Sequence, residues 1–434
     1  MKRTIIFCML SVALLLDTNA QGDGYIIKDG KRFLPFGSYF LPKEDAMLKE
    51  MVNAGFNLFQ CHSKADLDRV QKAGAQGWIS LPFHEGDSPR LKELANSVAG
   101  HPALAVWEGP DELVWNFTAK VVWEGPYDEL GWRVTPYSHK VLLEWLTLTP
   151  EALRFAKEQS AIIMPNVAKA VAYIRSVDPN NLQVWINEAE PSDMGYVWQY
   201  MDVIDITGCD FYPVRSSLTE GSMKPRKRMQ DIGKNAGRWT VTSQGKPVWM
   251  VLQAFSWHEL GVLDDRWKNL PVAYPSFEES RYMAYDVIAN GTKGILYWNL
   301  GFLTSEPFRQ SLYGLARELN ALQPFLSTDP KPIHITTHLP VQDANNRVAG
   351  TARQYGRDWM VALVNESDTT QHAAIVSGLD LLHGQQLVQL YGEDEIIVKN
   401  GKFVTQLKPF EVKVYATRRK WETADRRGRD YRGL

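Results

Sequence analysis

The sequence predicts an eight-stranded parallel β/α barrel followed by a small antiparallel β-sandwich. Between residues 33 and 325, short and almost continuously apolar runs alternate with helical patterns, as expected for a parallel sheet buried on both faces. Eight strand–helix units in about 290 residues match the size of this barrel. After about Thr328 the runs shorten, alternate apolar with polar residues and are separated by Gly, Asn and Asp, which is typical of antiparallel strands.

Residues 1–20 have the pattern of a secretory signal peptide. Two basic residues precede an apolar run from Ile5 to Leu16, and a small-residue stretch ends at Ala20. The run is too short for a convincing membrane span. We therefore expect a secreted or periplasmic protein that begins at Gln21, with no membrane as partner after cleavage.

The barrel domain is predicted to occupy residues 24–328. Its eight strands are expected at "RFLPFGSYF", "FNLFQCH", "GWISLPFH", "ALAVWEG", "LQVWINE", "VIDITGCDFYPV", "KPVWMVLQAF" and "GTKGILYWNL". Helix boundaries are also recognisable. Ser63 is expected to cap a helix that Gly74 ends, Pro150 opens a long helix, and Ser276 with Glu279 forms a capping-box pattern.

The sandwich domain is predicted to occupy residues 329–418, followed by a charged tail over 419–434. Its strands are expected at "HITTHLP", "VAGTARQY", "DWMVALVNES", "HAAIVSGL", "QLVQLYG", "EIIVKNGKFVTQL" and "FEVKVYAT". The "KNGK" segment is a strong hairpin signal. The tail lacks periodicity and is expected to be loosely held.

Composition excludes several classes of function. The net charge of −2 gives no electrostatic reason to expect nucleic acid as a partner. No His/Cys spacing indicates zinc and no Gly-rich phosphate loop is present, so we expect no metal and no cofactor. Cys61 and Cys209, which lie in apolar strand-like runs, are expected to be reduced core residues.

In such a barrel the chemistry lies at the carboxyl ends of the strands. Here those ends are rich in carboxylates and aromatic rings rather than histidines. The residues concerned are Tyr39, His62, His84, Glu85, Glu108, Asp111, Glu112, Glu188, Glu190, Asp210, Tyr212, Gln253, Trp257 and Trp298.

These residues carry a resemblance to a known class of enzymes. "HPALAVWEGPDE" resembles the fourth strand of retaining glycoside hydrolases with (β/α)8 barrels, in which Trp-Glu-x-x-Asn-Glu ends in the acid/base glutamate. "DVIDITGCDFYPV" is similar to their sixth strand, and "YMAYDVIANGTKGILYWNL" to the helix and eighth strand that end in a sugar-platform Trp, here Trp298. The resemblance implies a divergent glycosidase acting on a β-linked oligo- or polysaccharide, with Glu112 as general acid/base.

Hydrolysis of a glycosidic bond explains why such residues are needed. A proton must reach the leaving oxygen and an oxocarbenium-like centre must be stabilised, normally by two carboxyl groups. Aromatic rings such as Trp115 offer apolar faces to sugar rings. The expected substrate-binding residues are Asp111, Glu108, His62, Tyr39, Tyr212, Gln253, Trp257 and Trp298.

The sequence departs from the family pattern at two positions. Asp111 replaces the Asn that precedes the acid, and Gln253 lies where the seventh strand should end in the nucleophilic glutamate. A carboxamide is a far poorer nucleophile than a carboxylate.

Four hypotheses follow from these departures. The second carboxylate is on another strand, with Asp210 preferred, then Glu188, then Glu259; or Gln253 holds a water for an inverting attack. Alternatively, the adjacent Asp111 and Glu112 act as a pair, as in substrate-assisted hexosaminidases, or the barrel binds carbohydrate without cleaving it. A lyase acting on acidic polysaccharides is disfavoured because the strand ends carry few Lys or Arg.

A short internal repeat bears on the site. "VWEGPDEL" (106–113) returns as "VWEGPYDEL" (122–130), with Tyr127 inserted before the acidic pair. The first copy keeps the family spacing and is predicted to be catalytic. The second lies in an insertion, and its Trp123 and the nearby Trp132 are predicted to shape the cleft.

Overall fold

The computed structural model describes residues 22–120, 150–214, 229–262, 267–301, 303–338 and 347–424. A hairpin of β1 (Ile26–Lys28) and β2 (Lys31–Phe33) precedes a closed parallel barrel. The barrel strands are β3 (Phe36–Ser38), β4 (Leu58–Cys61), β5 (Gln76–Ser80), β6 (Leu104–Glu108), β7 (Gln183–Ala189), β8 (Ile206–Phe211), β9 (Val248–Gln253) and β10 (Gly294–Trp298). They pair in chain order and β10 closes onto β3. The predicted barrel is confirmed, and each of the eight predicted runs overlaps one barrel strand.

Three of the described helices carry the boundary signals that the sequence predicts. They are α1 (Asp45–Ala54), α2 (Lys64–Ala73), α3 (Pro89–Val98), α4 (Leu113–Trp115), α5 (Pro150–Val177), α6 (Met194–Val197), α7 (Asp231–Thr242), α8 (Phe277–Ala289), α9 (Glu306–Ala321) and α10 (Gln323–Leu326). Ser63 caps α2 by accepting from the backbone N–H of Asp66, and Gly74 ends it in a left-handed conformation. Ser276 and Glu279 form both halves of the capping box of α8. These predictions are confirmed.

The centre of the barrel is a packed core rather than a channel. Trp78, Trp185 and Trp249 point into it and are fully buried. Gly294 makes room for Trp249, because a Cβ there would lie 2.5 Å from its ring. Such filling is typical of this barrel and leaves the strand ends as the place for a site.

The predicted sandwich is confirmed as two packed antiparallel sheets. Its strands are β11 (His334–Thr337), β12 (Val348–Tyr355), β13 (Asp358–Asn365), β14 (His372–Ser377), β15 (Gln386–Leu390), β16 (Glu395–Ile397), β17 (Lys402–Leu407) and β18 (Val412–Ala416). One sheet has the order β11-β14-β17 and the other β12-β13-β18-β15-β16. The "KNGK" turn forms, with Asn400 and Gly401 at positive φ, but it connects strands of the two different sheets.

β13 explains how the sandwich is held to the barrel. Every residue of this strand is buried. Met360 and Ala362 pack in the barrel's hydrophobic cluster, whereas Val361 and Leu363 pack in the core of the sandwich. On the barrel side, Arg281 of α8 donates to the backbone oxygen of Val412 at 2.8 Å. The five-stranded sheet is therefore covered on both faces.

The first residues of the predicted tail are packed rather than loosely held. The Trp421 ring lies 4.6 Å from the Phe325 ring, and Lys420 pairs with Asp358 at 2.8 Å. These two contacts hold the start of the tail in place, although its sequence lacks periodicity. Residues 425–434 lie outside the described residues, as does the predicted signal peptide.

Two further findings concern the described part of the chain. Cys61 and Cys209 are buried and are not joined in a disulfide, which confirms the prediction of reduced core residues. Among the described helices, none has the length and apolar character needed to cross a bilayer.

Candidate active site

The loop after β6 carries the acidic residues of the first repeat copy and runs beside the end of β7. The N–H of Gly109 donates to the backbone oxygen of Trp185 at 2.8 Å, and the N–H of Glu112 donates to that of Asn187 at 2.9 Å. A Cβ at position 109 would lie 2.7 Å from the Ile186 side chain. Glycine is therefore required for this close approach, and the loop extends the sheet pairing beyond the strand.

Glu112 has a strained backbone that its neighbours hold in place. Its φ of 52° and ψ of 44° lie in the left-handed region, which is uncommon for a residue with a side chain. Besides the bond to Asn187, its backbone oxygen accepts from the N–H of Asn116 at 2.8 Å. The side chain is partly exposed. Strain of this kind tends to occur at functional sites, where the surroundings fix an otherwise unfavourable conformation.

Asp111 is fixed by two asparagines. The amide nitrogen of Asn187 donates to its carboxylate at 2.9 Å. The amide nitrogen of Asn116 donates to its backbone oxygen, also at 2.9 Å. Asp111 is exposed whereas Asn187 is 2% exposed, so a buried amide orients a carboxylate that solvent reaches.

Glu108 lies below these residues, at the floor of the barrel mouth. It is fully buried and accepts from the hydroxyl of Tyr39 at 2.8 Å and from the indole N–H of Trp78 at 2.9 Å. Ser80 and Gln60 also donate to it. Burial raises the pKa of Glu108 to about 7, helped by the negative charge of Asp111. Donors from three other strands thus converge on one carboxyl group.

Tyr212 connects the carboxylates to an aromatic wall. Burial raises its pKa well above the ordinary value, and the charges of Asp210, Asp111 and Glu112 raise it further. The hydroxyl is hydrogen-bonded to Asp210. The three carboxylates therefore lie near one phenol, at the carboxyl ends of β6 and β8.

The aromatic wall is built from β8, β9 and β10. The ring of Tyr212 is stacked with that of Trp298, with centroids 5.6 Å apart and planes 24° from parallel. Phe255 meets both rings edge-on, at 5.1 and 5.3 Å. Trp257 packs against Tyr212 at 6.4 Å. Trp257 and Trp298 are partly exposed, so this wall offers ring faces beside the carboxylates.

Glu188 was expected in the cleft but is enclosed at the start of α4. It is fully buried and accepts from the N–H of Val114 at 3.0 Å and from the hydroxyls of Ser192 and Tyr200, both at 2.8 Å. Burial raises the pKa of Glu188 to about 7. Because side chains alternate along a strand, the Glu188 side chain points away from the barrel interior, whereas the Asn187 side chain points into it.

Gln253 has no amide hydrogen left for a water or substrate. Its nitrogen donates to the backbone oxygens of Val214 and Phe255, at 2.8 and 3.0 Å, and its oxygen accepts from the N–H of Val214 at 2.9 Å. The side chain is fully buried. It ties the chain after β8 to the end of β9.

Two other predicted residues follow the ends of β9 and β4. Glu259 is 8% exposed and accepts from the Tyr274 hydroxyl at 2.7 Å and from the N–H of Thr304 at 2.6 Å, so it joins loops beyond β9 and β10. His62 is exposed at the end of β4. The second repeat copy, with Trp123 and Trp132, lies outside the described residues.

Comparison with known proteins identifies the fold. No protein-family model and no curated protein matches the chain. A solved structure described as a glycoside hydrolase is 12% identical, with coverage of 91% of this chain and 95% of its own and a TM-score of 0.53. A GH30 endoxylanase from Clostridium papyrosolvens C71 is 11% identical, covering 91% and 97%, with a TM-score of 0.45. The first similarity shows that this chain has the fold of a glycoside hydrolase.

Asn187 is the site residue that sequence reasoning missed. In the sequence it lies within "INEAEP", directly before Glu188. The side chains of a strand alternate between its faces, so Asn187 lies on the same face of β7 as Trp185. This alternation is the signal from which its position could have been predicted. The sequence pattern does not show which face of β7 points into the barrel, because both faces are buried.

Proposed function

We propose that this protein is a glycoside hydrolase, with Glu112 as general acid/base and Asp210 as the second carboxyl group. The observation that carries the proposal is the grouping of Asp111, Glu112 and Asp210 around Tyr212, beside the wall that contains Trp298. Two carboxyl groups and an apolar platform are what hydrolysis of a glycosidic bond requires. The fold shared with a glycoside hydrolase is compatible with this chemistry without specifying it.

Each residue has a distinct role in the proposed mechanism. Glu112 delivers a proton to the leaving oxygen, and Asp210 either attacks the anomeric carbon or activates a water. Asp111 binds a substrate hydroxyl in the position that Asn187 sets. The faces of Trp298 and Trp257 pack against sugar rings. Glu108 supports the floor and does not touch the substrate.

The proposal extends to linkage and location. The resemblance of the Trp107–Glu112 segment implies a β-linked glycan, and the leader-like first 20 residues imply export. N-terminal sequencing of protein recovered outside the cytoplasm should begin at Gln21. Recovery of the intact chain from the cytoplasm alone would contradict export.

The experiment that tests the function is a screen on α- and β-linked polysaccharides and on N-acetylated glycans, with the product anomer followed by NMR. We expect turnover of a β-linked glycan and its loss in Asp210→Asn. Retention of configuration makes Asp210 the nucleophile, and inversion makes it the base. Turnover confined to α-linked glycans would overturn the proposed linkage. Turnover confined to N-acetylated substrates, with full activity in Asp210→Asn, would favour the adjacent pair Asp111 and Glu112 instead.

One observation favours a second candidate, a carbohydrate-binding barrel without catalysis. The amide of Gln253 occupies the expected nucleophile position and is fully engaged with backbone. That candidate predicts no turnover of any glycan. It also predicts that Glu112→Gln binds a glycan about as tightly as wild type, measured by calorimetry.

A further inference from the structure

Asn187 and Glu188, near the end of β7, make four hydrogen bonds to the acidic loop. This loop is the segment after β6 that carries Asp111 and Glu112. Asn187 accepts from the N–H of Glu112 and donates its amide to Asp111, both at 2.9 Å. Glu188 accepts from the N–H of Val114 at 3.0 Å and from that of Trp115 at 3.4 Å. The bonds lie on both sides of Glu112 along the loop, which confines its backbone from each direction.

The Asn187 amide is oriented at an energetic cost. Its oxygen is buried and has no hydrogen-bond partner among the described residues, and leaving a buried acceptor unsatisfied costs free energy. Reversing the amide would place its oxygen against the Asp111 carboxylate and lose the only side-chain bond it makes. The observed orientation of the amide therefore fixes Asp111, although it leaves the amide oxygen without a hydrogen-bond partner among the described residues.

Burying the Glu188 carboxylate also costs free energy. A fully buried carboxylate is unfavourable unless donors surround it, and here two backbone N–H groups of the acidic loop are among those donors. The hydroxyls of Ser192 and Tyr200 complete the set. An uncharged residue would fill this space at a lower cost in free energy. We therefore attribute the presence of a carboxylate to the backbone N–H groups that it holds in place.

We propose that Asn187 and Glu188 are positioning residues for Glu112, acting as a clamp that holds the acidic loop in its strained conformation. The inference rests on the proposed function, because Glu112 is the general acid there. The clamp does not touch the substrate. It sets the direction in which Glu112 presents its proton, and displacement of a catalytic group by about 1 Å typically costs about 100-fold in rate.

Two substitutions test the clamp by kinetics and by amide exchange. Glu188→Gln should lower kcat by about 10- to 100-fold with KM changed less than about twofold. Asn187→Ala should lower kcat in the same range and should also raise KM, because it frees the Asp111 carboxylate that binds a substrate hydroxyl. Hydrogen–deuterium exchange, followed by mass spectrometry, should become about tenfold faster for the amides of residues 112–116. Glu93→Gln, an exposed glutamate on α3, is the matched control and should change neither quantity.

Ser192→Ala keeps the test decisive if Glu188→Gln does not fold. It removes one hydroxyl donor from the Glu188 carboxylate without touching the loop, so kcat should fall by a few-fold and exchange in 112–116 should rise.

The outcomes separate the clamp from the proposed function. A wild-type protein without turnover on any glycan would defeat the proposed function, and the exchange data alone would then decide whether the clamp holds the loop. Wild-type kcat in the variants, or a lower kcat with unchanged exchange, would overturn the clamp.

Discussion

The buried amide of Asn187 donates to the exposed carboxylate of Asp111 at 2.9 Å, while the backbone oxygen of Asn187 accepts from Glu112. One residue on β7 thus sets the geometry of two neighbouring carboxylates on the loop after β6. The barrel supplies a rigid strand end, and the loop supplies the acids. Sites built in this way retain their geometry because the supporting strand is packed on both faces.

The hydroxyl of Tyr39 should matter for stability because it donates to buried Glu108. Removing a donor from a buried carboxyl group costs about 1–3 kcal/mol, so Tyr39→Phe should lower the free energy of unfolding by that amount in urea denaturation. Tyr297→Phe is a matched control, since the Tyr297 hydroxyl is buried without a hydrogen-bond partner among the described residues. Equal losses in both variants would contradict the role given to the Tyr39–Glu108 bond.

The ionisation of Glu108 should make stability depend on pH. Its pKa is raised by burial to about 7 in the folded protein, above its unfolded value near 4.5, so the native state holds this proton more tightly. The stability from this group is complete below about pH 4.5 and is lost as the pH rises through 7, by at most about 3 kcal/mol. Relative to Glu108→Gln, the wild-type free energy of unfolding should fall over that interval. A pH-independent difference would refute the assignment.

Restoring a carboxylate at the expected nucleophile position should not create a better enzyme. In Gln253→Glu, the carboxylate oxygen that replaces the amide nitrogen would face the backbone oxygens of Val214 and Phe255, which now accept from that nitrogen. Burying unpaired acceptors should cost about 1–3 kcal/mol of unfolding free energy, with no gain in kcat. An increase in kcat together with a covalent glycosyl intermediate, detected by mass spectrometry, would show that this position still reaches the substrate.

Trp298 should contribute to substrate binding more than to chemistry. Trp298→Ala removes a partly exposed ring that packs on Tyr212, and we expect KM to rise by about tenfold, equivalent to about 1.4 kcal/mol, with a smaller change in kcat. Trp198→Ala serves as the control, since that ring is 45% exposed and donates to the backbone oxygen of Thr242. A change in kcat alone would place Trp298 in the chemistry instead.

The sequence allowed the fold to be predicted because its signals are local. Apolar runs of strand length mark all eight barrel strands, and the Ser276–Glu279 capping box marks the start of α8. The packing of Trp421 on Phe325 could not be predicted, because it depends on a contact between residues nearly 100 positions apart in a stretch without periodicity.

The site was only partly predictable for a related reason. The spacing from Trp107 to Glu112 indicated which loop is acidic. The opposite facing of Asn187 and Glu188 follows from strand alternation, but β7 is buried on both faces and its sequence gives no sign of which one is inside. The engagement of Gln253 with Val214 depends on tertiary contact.

The measurement that most directly tests the central claim compares wild type with Glu112→Gln on two substrates. One is the glycan identified by the screen, and the other is the corresponding aryl glycoside whose leaving group needs no protonation. If Glu112 is the general acid, kcat on the glycan falls by about 10²–10⁴-fold, while turnover of the aryl glycoside falls far less. Wild-type turnover of the glycan by Glu112→Gln would contradict the account.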